Sequence, residues 1–293
     1  MGTFFDRLKK GQDKLGYPRF KGYGRLLSIP FDNYGNGCIL RGQDGKKELV
    51  DSGESLTGFR LDLFGVGRVK VRIHRPIVGT IKTASVKRDV DGKWYVVFTC
   101  TIPEAAKPEP SNKPSVGVDV GLEYFATTSD GEHVENPRFL KMNLKKLRVL
   151  QRSASRKQEV AKKAKRKFRE GRNLQKSRKK VANLHVRIRN QRKEHHYKTA
   201  CDLVNRYGTI CVESLNVQGM IKNGKLSRSI SDAGWSSFVG ILKHVANKAG
   251  VSVVEVDAKG TSQTCPRCNS HTPKKLSDRV HNCQHCGYRV QRD

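Results

Sequence analysis

The sequence predicts an α/β fold in which a core with a long basic helical insert follows a small, entirely β domain. Short β-type runs separated by Asn-Gly and Asp-Gly turns occupy residues 25–101, a pattern typical of a small β-barrel or sandwich. Residues 116–256 predict the order strand, strand, long helical insert, strand, helix, strand, which is an α/β layer architecture. Four prolines between residues 103 and 114 indicate a linker between the two parts.

The composition favours a nucleic-acid partner. Lys and Arg total 58 and Asp and Glu total 27, so the formal net charge is 58 − 27 = +31. A charge of this size predicts a polyanionic partner, with nucleic acid ahead of an anionic membrane surface. No run of about 18 apolar residues occurs, so we expect no segment that spans a bilayer. The first residues lack the apolar region of a signal peptide, so we expect a cytoplasmic protein.

The predicted β domain is built from seven short runs. Turn residues such as Asp44-Gly45 and Asp91-Gly92 separate them. The runs are Leu26–Phe31, Cys38–Leu40, Lys47–Val50, Phe59–Leu63, Val66–His74, Ile77–Lys87 and Trp94–Thr101.

The α/β part begins with a strand that carries Asp119. Valines at 116, 118 and 120 alternate with Gly117, Asp119 and Gly121, and a second strand is predicted over 124–128. Two interpretations are open. A buried aspartate requires an offset for its charge, which a metal ion would supply. Alternatively, Asp119 lies at the end of a strand and accepts hydrogen bonds from a turn.

The segment 140–207 predicts two antiparallel helices that Gly171 divides. Between residues 141 and 198, basic residues outnumber acidic ones by roughly twenty to three. A solvated face is the usual explanation of a charge run, but the nearly uniform sign favours contact with nucleic acid. We expect His185, His195 and His196 to be at the surface or to face phosphates.

A strand at 209–213 ends in Glu213, and a polar loop is predicted over 216–231. Ser231-Asp232 is a plausible N-cap for a helix over Ala233–Ala249, and a further strand follows at Val251–Val256. Asp257, directly after that strand, is a weak candidate for a metal site; a turn-capping aspartate is the alternative.

Two Cys-x-x-Cys pairs near the end of the chain predict a structural zinc site. Four thiolates at this spacing form a closed tetrahedral set, which suits Zn²⁺ and leaves no position for a reacting water. Redox pairs are the alternative, and His271, His281 and His285 are weaker substitutes for one cysteine. The predicted ligands are Cys265, Cys268, Cys283 and Cys286.

Three acids far apart in the sequence suit a second kind of metal site. Asp119 and Glu213 follow β-type runs, and Asp293 follows the second cysteine pair. Two-metal phosphodiester cleavage requires clustered carboxylates that hold two divalent ions about 4 Å apart. Hard oxygen ligands select Mg²⁺ or Mn²⁺.

Together these motifs resemble the transposon-associated TnpB family, relatives of the type V CRISPR effectors. The likeness covers nearly the whole chain. It rests on Val-Gly-Val-Asp119-Val-Gly-Leu, Val-Glu213-Ser-Leu-Asn, Ser231-Asp-Ala-Gly-Trp235-Ser-Ser-Phe, Thr261-Ser-Gln-Thr-Cys265-Pro-Arg-Cys268, Cys283-Gln-His-Cys286-Gly with Arg292-Asp293, and Gly-Tyr17-Pro-Arg-Phe-Lys21.

The resemblance implies a metal-dependent, RNA-guided DNA endonuclease with three parts. Residues 1–110 would form a wedge-type β-barrel that holds the guide RNA, with Arg19 and Lys21 on phosphates. Residues 111–260 would form an RNase H-like (RuvC-type) core with the basic helical insert at 140–207. Residues 261–293 would form a zinc ribbon and the start of the last RuvC motif.

The resemblance further implies that Asp119, Glu213 and Asp293 hold the catalytic ions and that target DNA is the substrate. The family has additional segments at both ends, so this chain looks truncated and is expected to be weakly active or inactive. The alternative is a protein without catalysis: a decayed RNA- and DNA-binding remnant, or an RNA-guided protein that occludes DNA. A zinc-ribbon accessory protein of the translation machinery is a third, weaker interpretation.

Overall fold

The computed structural model describes residues 27–42, 58–103, 108–164, 171–257, 263–265, 267–273 and 280–291. The chain divides into two compact units, residues 1–104 and 105–293. The predicted run Lys47–Val50 and the predicted site residues Arg19, Lys21 and Asp293 lie outside the described residues. Among the described helices, none has the length and apolar character that crossing a membrane requires.

The first unit contains two antiparallel sheets of three strands each. One sheet has the order β1-β5-β6 and the other the order β2-β3-β4. The strands are β1 (Ser28–Phe31), β2 (Cys38–Arg41), β3 (Arg60–Leu63), β4 (Gly67–Lys70), β5 (Thr80–Arg88) and β6 (Trp94–Thr101).

Both sheets of the first unit contribute to one hydrophobic core. Cys38 and Leu40 of β2 are almost completely buried with Leu61 of β3, and Ala84 of β5 packs in the same cluster. This shared core is what binary alternation in short strands predicts. Strand β4 is shorter than the predicted run Val66–His74.

The second unit is organised around a five-stranded mixed sheet of order β11-β10-β7-β8-β9. Strands β11, β10 and β7 are parallel, whereas β8 and β9 pair antiparallel as a meander from β7. The strands are β7 (Ser115–Asp119), β8 (Tyr124–Thr128), β9 (His133–Glu135), β10 (Thr209–Ser214) and β11 (Ser252–Asp257).

Five described helices belong to the second unit. They are α1 (Phe139–Lys163), α2 (Arg172–Arg206), α3 (Val217–Ile221), α4 (Ser227–Ala233) and α5 (Trp235–Lys248). The first two form the predicted antiparallel pair on either side of Gly171. Lys157 Nζ lies 2.6 Å from Ser177 Oγ across the pair, and Leu147, Leu184 and Ile188 form a small core between the helices.

One face of the sheet is covered by helices and forms the main core. Val116 and Ile210 of the sheet are buried there with Leu203 of α2 and with Phe238 and Leu242 of α5. Burial of such a side chain stabilises the fold by about 1.5–3 kcal/mol. The core therefore fixes which face of each strand points away from the helices.

His196 corrects one expectation about the helical insert. The side chain is 1% exposed, it stacks on Phe125, and its Nε2–H donates to the carbonyl oxygen of Ala233 at 2.9 Å. His195 is half-buried and only His185 is exposed. The apolar face of α2 is hard to recognise in the sequence, because basic residues occupy the other positions of the helix.

The segment after β10 differs from the prediction in two ways. Short helices α3 and α4 replace the expected loop at 216–231. Asp232 does not cap α5, because Gly234, in the left-handed region at φ 68°, is the N-cap and the helix begins at Trp235. The carboxylate of Asp232 instead caps α1 by accepting hydrogen bonds from the backbone N–H groups of Leu140 and Lys141.

Candidate functional site

Strands β7 and β10 carry two acidic residues to neighbouring positions. Their parallel pairing runs from Thr209 opposite Ser115 to Val212 opposite Val118. Asp119 and Glu213 are the next residue on each strand. Adjacent strands lie about 4.8 Å apart, so the two carboxylates start from neighbouring backbone positions although 213 − 119 = 94 residues separate them in sequence.

Both carboxylates lie on the face of the sheet opposite the helices. Val118 and Val212, one residue earlier on each strand, are buried in the core, and side chains alternate between faces along a strand. Asp119 is exposed and Glu213 is half-buried. Of the two interpretations of Asp119, the structure excludes the buried one, since Asp119 is the last residue of its strand and is exposed.

A row of polar side chains continues across this face. Thr127 of β8 is directly opposite Asp119, and His133 of β9 is directly opposite Thr127. Thr127 Oγ1 and His133 Nδ1 lie 3.2 Å apart, and the His133 ring stacks on Tyr124 with 4.3 Å between ring centroids. Single-sequence reasoning missed Thr127 and His133, because only the strand register brings them into line with Asp119.

Asp257 does not share the face of the carboxylate pair. It is opposite Ser214, one position beyond Glu213, so alternation directs it to the other side of the sheet. Two further strands, β12 (Val280–Asn282) and β13 (Arg289–Gln291), pair antiparallel, and Asp293 lies outside the described residues, two positions after β13. Among the described residues the candidate site thus consists of Asp119 and Glu213.

The donor set of this pair fits a hard divalent cation. Two carboxylates on adjacent strands present oxygen ligands on the face of the sheet that points away from the helix-covered core. Mg²⁺ is usually held by one or two carboxylates and retains several waters. The arrangement can therefore hold a hydrated ion and admit an extended phosphodiester chain.

The four predicted zinc ligands form one cluster. Their sulfur atoms all lie within 4.8 Å of one another, and no histidine joins this group among the described residues. The Sγ atoms of Cys265 and Cys286 are 3.6 Å apart, as are those of Cys268 and Cys283. Four thiolates about 2.3 Å from one zinc ion would lie about 3.8 Å apart, so the cluster can hold this metal.

Both cysteine knuckles fold in the same way. The residue after the second cysteine is in the left-handed region, Asn269 at φ 55° and Gly287 at φ 69°. Its N–H donates to the carbonyl of the first cysteine, at 2.9 Å for Cys265 and 3.0 Å for Cys283. Asparagine and glycine are the residues that tolerate this conformation. The repeated turn directs each pair of thiols to one side.

Hydrogen bonds to the sulfur of Cys283 favour its thiolate form, which is the form that binds metal. The hydroxyl of Ser270 lies 3.2 Å from the sulfur of Cys283, and the N–H of Cys286 donates to the same sulfur. These contacts lower the pKa of Cys283 to about 5. A lowered pKa means that less proton release is needed when a metal binds.

The basic surface of α1 has a regular spacing. Arg148, Arg152 and Arg156 follow one another at four-residue intervals and line a shallow depression. Successive members rise about 6 Å along the helix axis. A stripe of this kind presents cations to successive groups of an extended polyanion, in agreement with the predicted nucleic-acid contact.

Comparisons with known proteins assign both parts of this site to known domains. The family model described as "Probable transposase" matches residues 97–224, which include Asp119 and Glu213. The model described as "Cas12f1-like, TNB domain" matches residues 235–293, which include the four cysteines and Asp293.

Curated relatives are similar over most of this chain. A "Putative RNA-guided DNA endonuclease" of Streptomyces pristinaespiralis is 32% identical over 72% of this chain and 50% of its own length. The "Putative RNA-guided DNA endonuclease InsQ" of Escherichia coli (strain K12) is 31% identical over 80% of this chain and 59% of its own. "TnpB-like protein L770" of Acanthamoeba polyphaga mimivirus is 26% identical over 76% of this chain and 44% of its own length. The chain spans about half the length of these relatives.

Proposed function

We propose that this chain, which belongs to the TnpB-like family, is an RNA-guided DNA endonuclease that hydrolyses phosphodiester bonds at the Asp119–Glu213 pair. The single observation that supports this most is the parallel register, which brings two acids from distant segments onto one open face. The relatives named RNA-guided DNA endonucleases support the same reaction class.

The proposed mechanism assigns the same task to three acids. Asp119 and Glu213 would hold one side of a divalent-ion site, and Asp293 would complete it. Two bound Mg²⁺ or Mn²⁺ ions would supply an activated water and stabilise the leaving oxygen. The chain's own contribution is to orient these carboxylates on a face that an extended strand can reach, with the Thr127 hydroxyl beside Asp119.

The remaining parts would bind nucleic acid and stabilise the fold. We assign residues 111–260 to an RNase H-like, RuvC-type core and residues 261–293 to a zinc ribbon whose four cysteines hold Zn²⁺ structurally. Residues 1–110 would form the wedge-type barrel on the guide RNA, with Arg19 and Lys21 on its phosphates.

A second candidate function is RNA-guided binding of DNA without cleavage. The arginine stripe of α1 supports it, because those cations do not depend on the carboxylate pair. A net charge of +31 likewise supports binding of a polyanion, and it does not by itself imply cleavage.

Cleavage by the purified chain with its copurifying RNA distinguishes the two functions. The DNA substrate would be a plasmid library that contains the complement of that RNA, incubated with Mg²⁺. We expect cleavage to fall by at least about 100-fold in Asp119→Ala and in Glu213→Ala, because each removes an ion ligand. Retained binding with undiminished cleavage in both variants would eliminate the proposed active site.

A further inference from the structure

A basic cavity of about 500 Å³ lies in the second unit, apart from the two metal sites. Three segments line it: the turn regions flanking β8 and β9, the first two turns of α1, and the stretch from α3 to α4. Its principal lining residues are Leu122, Arg138, Lys141, Leu144, Lys225 and Arg228.

The cavity carries uncompensated positive charge. Arg138, Lys141, Lys225 and Arg228 make no ion pair within the described part of the chain. The one acid in the lining, Asp232, already accepts hydrogen bonds from two N–H groups at the start of α1 and pairs with Arg192 at 3.0 Å. Four cations therefore face a space that holds no available counter-charge.

The backbone at Arg138 is strained in a way that keeps this cation at the cavity. Its φ of 49° and ψ of 49° are left-handed, which for a non-glycine residue costs of order 1 kcal/mol. Its Nη2 donates to the carbonyl of Leu122 at 3.1 Å, and its N–H donates to Asn136 Oδ1 at 3.4 Å. Strain maintained by such contacts is typical of functional positions.

The cavity is close in the chain to both acids of the candidate active site. Leu122 follows Asp119 by three residues, and Lys225 lies on the segment that leaves β10 after Glu213. Strands β7 and β10 are parallel, so their carboxyl ends meet at one edge of the sheet. Ligands of α/β sheets bind at that edge.

The other lining groups suit a nucleotide strand rather than a lone anion. Ser229 offers a hydroxyl donor, whereas the Ser227 hydroxyl donates to the carbonyl of Gly224 at 3.4 Å. Leu122 and Leu144 provide apolar contact that fits a sugar. We propose that this cavity binds phosphates of the DNA strand that is cleaved at the Asp119–Glu213 pair. The proposal rests on the proposed function for the identity of that strand, whereas the phosphate-binding chemistry rests on the cavity alone.

The test measures binding without cleavage. The full chain with its copurifying RNA carries Asp119→Ala and is kept free of Mg²⁺ and Mn²⁺ without a chelator, so that the cysteine cluster retains its zinc. The Kd of a single-stranded DNA is then measured against salt concentration. Removing two phosphate contacts with Lys225→Ala/Arg228→Ala should reduce the slope of log Kd against log salt by about 1.4, at about 0.7 per contact on a single strand. The matched control, Lys243→Ala/Lys248→Ala on α5, removes the same charge outside the cavity and should leave the slope unchanged.

A neutral-backbone scan locates the contact. Single methylphosphonate linkages placed along the DNA should weaken binding of the chain with an intact cavity at a few adjacent positions, and the double variant should lose that sensitivity. An unchanged slope in the double variant, or an equal change of slope in the control, would each overturn the proposal. Because no outcome depends on cleavage, failure of the nuclease assignment is detected separately by the Mg²⁺ assay.

Discussion

Asp232 caps a helix that begins 232 − 139 = 93 residues before it: its carboxylate accepts a hydrogen bond of 2.9 Å from the backbone N–H of Leu140. The same carboxylate accepts from Lys141 N–H and pairs with Arg192 of α2. One acid thus joins the first turn of α1 to α2 and to α4. The first four N–H groups of a helix have no partner within it, so this contact satisfies donors that the helix cannot.

Asp232→Ala should destabilise the second unit by about 2–3 kcal/mol, since it removes the cap and the ion pair together. Urea unfolding followed by circular dichroism measures the change. Asp202→Ala is the control, because this exposed acid forms an i,i+4 pair with Arg206, which remains paired with Glu132. Its effect should stay within about 0.5 kcal/mol. Equal losses of unfolding free energy in the two variants would show that the Asp232 cap does not stabilise the second unit.

Glu213 and Asp257 lie at the same edge of the sheet but on opposite faces, so we expect different effects when each is replaced. Glu213→Gln should abolish Mg²⁺-dependent cleavage, because the amide lacks the charge that holds a divalent ion. Asp257→Asn should retain cleavage within a few fold, since its side chain is on the other face. Both variants are compared in the plasmid assay at saturating Mg²⁺. Loss of cleavage in Asp257→Asn would place the ion site elsewhere.

The cysteine cluster should bind one zinc ion per chain. Cys283→Ser removes a thiolate ligand and should reduce the zinc content, measured by metal analysis after gel filtration, to well under half an equivalent. Cys201→Ser is the matched control, because this exposed cysteine lies outside the cluster and should leave one equivalent bound.

Zinc removal should unfold the ribbon rather than abolish a reaction step. Among the described residues of that segment, the buried hydrophobic side chains are Cys265 and Cys283, so metal binding supplies much of its folding energy. Chelation should therefore increase amide exchange in residues 263–291. Unchanged exchange after complete zinc loss would contradict a structural role.

His196 predicts a specific loss of stability in acid. Burial lowers its pKa in the folded chain to about 4, with smaller contributions from nearby His195 and Arg192, against about 6.5 in the unfolded chain. The unfolded state therefore binds more protons between these values, and stability falls as pH decreases from about 6.5 to about 4. The full effect is about 3 kcal/mol.

His196→Gln removes this titration while keeping a donor for the carbonyl of Ala233. The free energy of unfolding should then change less between pH 7 and about 4.5 than in the parent chain. His185→Gln, on the exposed side of the same helix, should retain the parent pH dependence. If the unfolding free energy of His196→Gln depends on pH in the same way as that of the parent chain, the acid destabilisation has another source.

The order of elements could be predicted because each is signalled locally. Valine alternation indicated β7, the Asp91-Gly92 turn indicated the β5–β6 hairpin, and Gly171 indicated the break between α1 and α2. The cysteine cluster was equally local, since Cys-x-x-Cys spacing directly determines where the thiols point.

Long-range partners could not be predicted in this way. Ser231-Asp232 lies just before α5 and has the residue types of an N-cap. The carboxylate of Asp232 instead caps α1, and nothing in the sequence near Asp232 indicates Leu140 as its partner. The exposure of Asp119 follows from which face the helices cover, which is a property of packing. The cations of the cavity are indistinguishable in sequence from the many others on this chain.

The parallel pairing of β7 with β10 has a consequence for synthesis. A ribosome adding about 5–20 residues per second completes Asp119 roughly 5–20 s before Glu213. The intervening α1–α2 hairpin ends at Arg206, 213 − 206 = 7 residues before Glu213. Its local contacts form far faster than the roughly 0.4–1.4 s that synthesis of those residues takes. The cationic hairpin can thus form while the carboxylate pair is still half made, so the nascent chain presents its basic surface before Asp119 and Glu213 come together.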